Sequence, residues 1–366
     1  MRGLIGDRAT ASIESFLLSL QDSIHRAEFA VGIGHKGDPW ANDTGSSNPT
    51  TPGPNTASTG ATATTLSPGD NSDATDGASA TTSTTEAEWQ PSPVPPMGTL
   101  PDEGKWSSYI VDPSGRTVGF RTALQPDAKR GYALAAVVAL DLTHTSLHFV
   151  LGTKEPISDR MIARPGKIPG ADLLPGRLLA AFNGGFQARH GAFGAMANGV
   201  EALPPRDGLG TLAIYGNGAV DLGAWGTDIV PSSDMQSWRQ NGPLVVSRGE
   251  INPHVADNAP QDWGFTLGGG VATWRSGVGV SKDRHTLYYV VGPGLTIQAL
   301  AAAMHQVGAW DGIQLDINKA WTRFDRVMVK DGKLMAEPVL KEINQDNRLL
   351  QAYKRDFFYI TAGSSA

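Results

Sequence analysis

H-T-L-Y-Y-V-V-G (285–292), P-G-L-T-I-Q-A-L-A-A-A-M-H-Q-V-G-A-W (293–310) and D-G-I-Q-L-D-I-N-K-A-W-T-R-F (311–324) follow one another without a gap, and the fold is read outward from them. The opening segment is β-branched and aromatic, which predicts a strand through Val291 broken by Pro293 and Gly294. Thr296 suits a helix N-cap, because its hydroxyl can accept an orphan backbone N–H. Ile297, Leu300, Ala301, Met304 and Val307 then share one helical face, and Gly308 suits the left-handed residue that follows a helix. Ile313, Leu315 and Ile317 alternate in a second strand, with Asp316 expected on the face opposite to them. Strand, helix and strand at this spacing make a βαβ unit. Asp316 falls near the carboxyl end of its strand, where open α/β sheets place ligands.

Around this unit the pattern is strand-rich. Strands are expected at Ala133–Leu140, Leu147–Leu151, Leu178–Phe182 and Phe357–Thr361. Gly216-Asn217-Gly218 and Asp331-Gly332 read as hairpin turns. Helices are few. The fold class expected is α+β, with mixed, strand-rich sheets and one late βαβ unit.

Towards the N-terminus the composition changes twice. Residues 9–30 carry an amphipathic stripe, Ile13, Phe16, Leu17, Leu20 and Ile24, so 1–40 is read as a helical segment that docks on the domain or on a partner. From Ala41 to about Pro96 the chain is Thr, Ser, Ala, Gly, Pro, Asn and Asp. With aliphatic and aromatic residues nearly absent no core can form, so 41–100 is read as a disordered linker and 101–366 as the folded domain. Ser/Thr/Pro-rich stalks suit an extracytoplasmic or cell-surface protein. Asn42-Asp43-Thr44 also fits the glycosylation acceptor pattern.

The 366 residues carry a net charge of −6 and no long basic run, which argues against nucleic acid as a partner. No stretch approaches the roughly 20 apolar residues of a membrane helix, and no signal peptide is visible. Cysteine is absent, which excludes disulfides and thiolate metal sites. Neither a cofactor nor a metal is expected. H-E-x-x-H, G-x-S-x-G, the Walker loop and G-x-G-x-x-G after a strand are all missing.

Polar residues at strand ends remain. Asn183-Gly184-Gly185-Phe186 ends an apolar strand, and its glycines permit close backbone approach to a ligand, or simply a turn. Arg275, amid small and apolar residues, is either a structural ion pair or an anion holder whose planar fork suits phosphate. Asp316 can serve as acid, base, nucleophile or hydroxyl acceptor, or cap a strand end. Glycoside cleavage usually needs a second carboxylate, for which Asp311, Asp283, Glu201 and Asp207 are candidates. His190 can assist, while His305 reads as a surface or core histidine.

These pieces in this order resemble the phosphodiester glycosidase family. The matching pieces are A-F-N-G-G-F (181–186), G-P-L-V (242–245) with Gly249, W-R-S-G-V-G (274–279), G-L-T (294–296) with Leu300-Ala301, Gly308-Ala309 and Leu315-Asp316. The resemblance covers roughly Tyr132 to the C-terminus. It implies hydrolysis of a sugar 1-phosphodiester to free sugar and phosphomonoester, and carries over to Asn183, Arg275 and Asp316 as catalytic positions. Gly184, Gly185, His190, Lys319 and Trp321 are the expected substrate contacts. The chain departs from the family at Ile317-Asn318-Lys319, where a glycine run usually follows the Leu-Asp pair. Glycines there would offer backbone N–H groups to a phosphate. Lys319 offers a positive charge instead.

Two functions follow. One is an extracytoplasmic hydrolase of a glycosyl phosphodiester, in which Arg275 holds the phosphate, Asp316 does acid–base or nucleophilic work and Asn183 positions the sugar. The other is a catalytically silent glycan-binding or envelope-assembly module of the same fold, with Trp321 stacking on sugar. Both take carbohydrate or sugar-phosphate as partner.

Overall fold

A computed structural model describes residues 23–24, 27, 39–40, 88–257, 259–264 and 272–363. Most of the expected N-terminal helix, residues 41–87 of the expected linker and the Asn42 acceptor site lie outside the described residues.

The βαβ unit forms, with a strand inserted into it. Strands Thr286–Leu295 and Asp311–Ile317 each pair antiparallel with Thr273–Val280, which lies between them. They are therefore parallel to each other without being neighbours. The helix between them, Ile297–Gln306, begins where expected: Thr296 Oγ1 accepts the Ala299 N–H at 3.0 Å. Gly308 takes a φ of 84° just past its end. Pro293 and Gly294 do not end the first strand. Two residues, Thr273 to Arg275, face the three-residue step from Leu295 to Gly292, so the pair forms a bulge with Gly294 at φ 67°.

The central sheet has eight strands. Its order is Ser107–Val111, Thr117–Leu124, Ala135–Asp141, Thr286–Leu295, Thr273–Val280, Asp311–Ile317, Leu244–Ser247 and Glu250–Ile251. One face is covered by the helix, whose Leu300, Ala301 and Met304 pack with Val137, Tyr288 and Val290. The other face meets two five-stranded sheets. One runs Val200–Leu203, Ala195–Ala197, Met235–Gln240, Gly210–Tyr215, Val220–Ala224. The other runs Lys333–Pro338, Phe324–Lys330, Leu178–Asn183, Phe357–Ala362, Thr145–Val150. Leu140, Phe182, Leu212, Val278 and Ile313 belong to one buried cluster fed by all three sheets.

The architecture is the strand-rich α+β class expected, with two short or medium α-helices among the described residues. Mixed sheets were expected, but every pairing between these strands is antiparallel. The reason is connectivity: most consecutive strands are joined by turns too short for a parallel crossover. Asp331 at φ 51° and Gly332 at φ 72° form such a turn, as their sequence predicts.

Residues 89–100, assigned from composition to the linker, lie against the domain. Trp89 packs on Phe120 with ring centres 5.6 Å apart, and Val94 is buried. Trp106 Nε1 donates to Ser92 O, and Gln306 Nε2 to Pro95 O. The Glu103 carboxylate accepts from the backbone N–H groups of Met97 and Gly98. A few well-placed Trp, Val and Met side chains outweigh the proline-rich composition. Trp40 also bridges to Leu340, its ring 4.4 Å from the Arg121 guanidinium.

Candidate active site

Three sheets meet at the ends of strands Leu178–Asn183, Met235–Gln240 and Asp311–Ile317, where the turn before Phe357–Ala362 joins them. Asp316 is the reference point. Arg275 to Gly277 is a two-residue step, but it faces the three-residue step from Ile317 to Gln314. This second bulge breaks the expected alternation. Leu315 stays in the main core, whereas Ile317 packs in a separate cluster with Phe186 and Phe193. Asp316 was expected opposite both; the bulge places those two neighbours in different clusters and aims Asp316 at the Gly184-Gly185 turn. Its N–H donates to Gly184 O at 3.2 Å, and its carboxylate accepts from Arg355 Nη2 and from the Ile317 N–H at 2.9 Å. Burial pushes the Asp316 carboxyl up to about 7, against the pull of Arg355 and the Ile317 N–H.

A second carboxylate completes the centre. Asp356 Oδ2 accepts from Arg239 Nε at 2.7 Å and from the Gly185 N–H at 3.2 Å. Its Oδ1 is buried without a hydrogen-bond partner among the described residues. Gly185 O accepts from Arg355 Nη2 at 3.0 Å, so Gly185 touches Asp356 through its N–H and the Asp316 partner Arg355 through its carbonyl. This explains the glycine pair: a Cβ on Gly184 would sit 2.3 Å from Asp356 Oδ2, and one on Gly185 3.0 Å from Arg239 Cζ. Arg239 is fully buried and also donates to the carbonyls of Phe193, Gln240 and Phe186. Asn241 Oδ1 accepts from the Phe186 N–H, and its Nδ2 donates to Gln314 O and Leu315 O.

Of the three residues expected to be catalytic, the structure brings two together. Asn183 Nδ2 donates to Ser276 Oγ at 3.0 Å, and Ser276 Oγ donates to Asp316 O at 2.8 Å. The rest of the Asn183 amide is also engaged: Nδ2 donates to Gly184 O, while Oδ1 accepts from Tyr289 OH and the Arg323 N–H. With its capacity used, Asn183 braces the turn. Arg275 points elsewhere. Its guanidinium donates to Leu295 O, Trp263 O and Gln314 Oε1, beneath the helix. The charges bearing on Asp316 are Arg355, Asp356 and Arg239. Burial lowers the Arg275 pKa to about 10, still charged at neutral pH. Arg275→Lys is expected to lose at least one of these charged hydrogen bonds and destabilise the fold by about 2 kcal/mol, read as a lower denaturant midpoint.

The other expected contacts scatter. His190 is exposed on the turn Ala188–His190, its pKa lowered by partial desolvation and by Arg189 and Arg355. Trp321 lies 4.9 Å from the Arg355 guanidinium and 5.1 Å from Lys354 Nζ, so cations already occupy its ring. Lys319 is exposed beside Trp274. Asp311 pairs with Arg284, Glu201 pairs with Arg160, and Asp283 accepts from Ser281 Oγ. Asp207 lies beside Gly226. None of the four bears on Asp316. Among the described residues no group of His, Asp and Glu could hold a metal ion.

Sequence reading missed Arg239, Asn241, Arg355 and Asp356. The available signal was Lys354-Arg355-Asp356, charged residues set directly before a fully buried strand end, since buried charges are paired or functional.

Residues 176–316 match the phosphodiester glycosidase family model. No curated protein sequence matches the chain. Among solved structures, the chain is similar to the catalytic domain of zebrafish N-acetylglucosamine-1-phosphodiester alpha-N-acetylglucosaminidase, auto-inhibited by its pro-peptide. Identity there is 14%, coverage 71% of this chain and 88% of that one, and the TM-score 0.44. It is also similar to a hypothetical protein from Synechocystis, at 13% identity, with 70% and 62% coverage and a TM-score of 0.35. The chain thus carries the phosphodiester glycosidase family's pattern over residues 176–316, and Arg355 and Asp356 complete the centre from beyond that match.

Proposed function

We propose that the domain hydrolyses a glycosyl 1-phosphodiester, releasing free sugar and a phosphomonoester, on an exported or cell-surface glycan. The observation that carries this is the buried Asp316 carboxylate, held by Arg355 beside a second carboxylate, Asp356, at the end of the family-matched segment. The leaving phosphate already carries negative charge and needs little protonation, so Asp316 acts as an anion. Either it takes a proton from the attacking water, or it attacks the anomeric carbon itself and water then hydrolyses the glycosyl–Asp316 ester to free sugar and the regenerated carboxylate; in both, the C1–O bond breaks and its electron pair leaves with the phosphate. Arg355 is suited to neutralise that charge, since its Nε is buried without a partner among the described residues. Gly184 and Gly185 allow the close approach of Asp356 and Arg239 to the site. The Ser/Thr/Pro-rich composition of 41–96 supports the location outside the cell.

The departure after Asp316 is accommodated locally. Ile317 is turned into the Phe186–Phe193 cluster, and Asn318 takes φ 74°, a conformation glycine adopts readily and Asn tolerates best among other residues.

Activity is expected to rise with pH through about 7, the value to which burial pushes Asp316, because the ionised form reacts. An acid-limb slope of one in log kcat/KM against pH checks this, and a rate that falls through the same range would assign Asp316 as a general acid. The founding experiment incubates the protein with a panel of sugar 1-phosphodiesters and measures free sugar. Mutual burial of Asp316 and Arg355 favours a second reading, a glycan-binding module; glycan binding with no sugar release from any substrate would establish it.

A further inference from the structure

Beyond the Asp316 centre, on the other side of the same loop, lies a cavity of about 400 Å³. Lys319, Thr322, Arg323, Asn344 and Arg348 line it. We infer that this cavity is an anion subsite that takes a second phosphate group, one carried by the aglycone of the substrate.

Its charge is the first argument. Arg323 is held by the buried Asp325, with Nε to Oδ2 at 2.7 Å and Nη2 to Oδ1 at 2.9 Å. Asp346 is shared: Arg323 Nη1 donates to its Oδ1 at 2.9 Å and Arg348 Nη2 to its Oδ2 at 2.6 Å. Those two carboxylates answer the two arginines. The Lys319 ammonium makes no hydrogen bond or ion pair among the described residues, and its neighbour is the Trp274 ring centre at 5.8 Å. One positive charge is therefore left over in a concave site, where field lines concentrate and anions gather.

Rigidity is the second argument. Arg348 Nη1 donates to Ala320 O at 3.0 Å, and the Asn318 carbonyl accepts from the N–H groups of Trp321 and Thr322. The Arg323 N–H is anchored on Asn183 Oδ1 at 3.0 Å. The wall that presents Lys319 is thus tied to the brace of the catalytic turn, and only Ile317 and Asn318 separate Lys319 from Asp316 in sequence. Trp321 closes the partition, its ring on Arg355 while Ala320 and Thr322 face the cavity. On this assignment the aglycone of a substrate reacting at Asp316 lies along this wall. The natural ligand assigned here rests on the hydrolase reading; the anion binding does not.

The test has two arms. In the first, inorganic phosphate is titrated calorimetrically into the full chain at low salt. Wild type is expected to bind, Lys319→Arg to stay within about threefold of it and Lys319→Glu to lose about tenfold or more. In the second, two glycosyl 1-phosphodiesters are compared, one with an uncharged aglycone and one whose aglycone bears a further phosphate. Lys319→Glu is expected to raise KM about tenfold more for the phosphorylated substrate. No phosphate binding by wild type, binding indifferent to Lys319→Glu, or equal KM shifts for both substrates would overturn the assignment. Lys319-dependent phosphate binding without any hydrolysis upholds the anion site and sinks the hydrolase reading instead.

Discussion

Asp316→Asn is expected to abolish measurable phosphodiester hydrolysis, a loss of about 10²–10⁴ in kcat, while sugar-phosphate affinity changes by no more than about tenfold. Asn is nearly isosteric and keeps an acceptor for the Ile317 N–H, which Asp316 Oδ1 holds at 2.9 Å. It cannot take a proton from water or attack the anomeric carbon. It also leaves Arg355 without its carboxylate, so folding must be checked by thermal melting. Asp316→Glu supplies the control: the charge remains but the carboxylate is displaced by one methylene, and a partial rate with the same pH limb is expected. Full activity in Asp316→Asn would remove this residue from the chemistry and pass the role to Asp356.

The largest loss of stability is expected from Arg239→Met. Arg239 and Asp356 are both inaccessible to solvent, joined at 2.7 Å. The guanidinium also satisfies three backbone carbonyls, those of Phe186, Phe193 and Gln240. Methionine fills part of the volume but leaves a buried carboxylate whose Oδ1 already lacks a partner. Breaking one half of a buried pair typically costs about 3–5 kcal/mol. Urea denaturation measures it. The double variant Arg239→Met with Asp356→Leu should recover part of the loss, because no charge is then stranded. A single-variant cost under about 1 kcal/mol would show that water reaches the pair.

The two variants probe different parts of one construction. Arg239 and Asp356 shape the Gly184-Gly185 turn, while Arg355 and Asp316 occupy it. Asp356 therefore serves two ends, as counter-ion to Arg239 and as the second carboxylate near Asp316. Loss of rate in Asp356→Asn with an unchanged melting point would assign it to the chemistry, and parallel loss of both would leave it a structural ion.

Residues 285–324 carried much of the fold in their own order. Thr296, the stripe from Ile297 to Val307, and Gly308 specify the helix through local chemistry, namely a cap, a periodicity and a left-handed terminus. Asp331-Gly332 specifies a hairpin in the same way. The family resemblance picked out Asn183 and Asp316 because each stands beside a short motif of fixed spacing. Other features depended on contacts far apart in sequence. The insertion of Thr273–Val280 into the βαβ unit is a matter of pairing, which no window of sequence contains. The bulge that aims Asp316 at Gly184 exists only because two strands of unequal step are hydrogen-bonded together. Strand Met235–Gln240 is not legible in the sequence because polar Ser237, Arg239 and Gln240 are buried there along with Met235 and Trp238, which leaves no apolar–polar alternation to read. Arg355 and Asp356 stand 39 and 171 residues from their partners Asp316 and Gly185. Local chemistry in the sequence thus specified the elements and one carboxylate; the tertiary structure alone chose which arginine holds that carboxylate, because charge pairing in a buried site is settled by which strand ends meet.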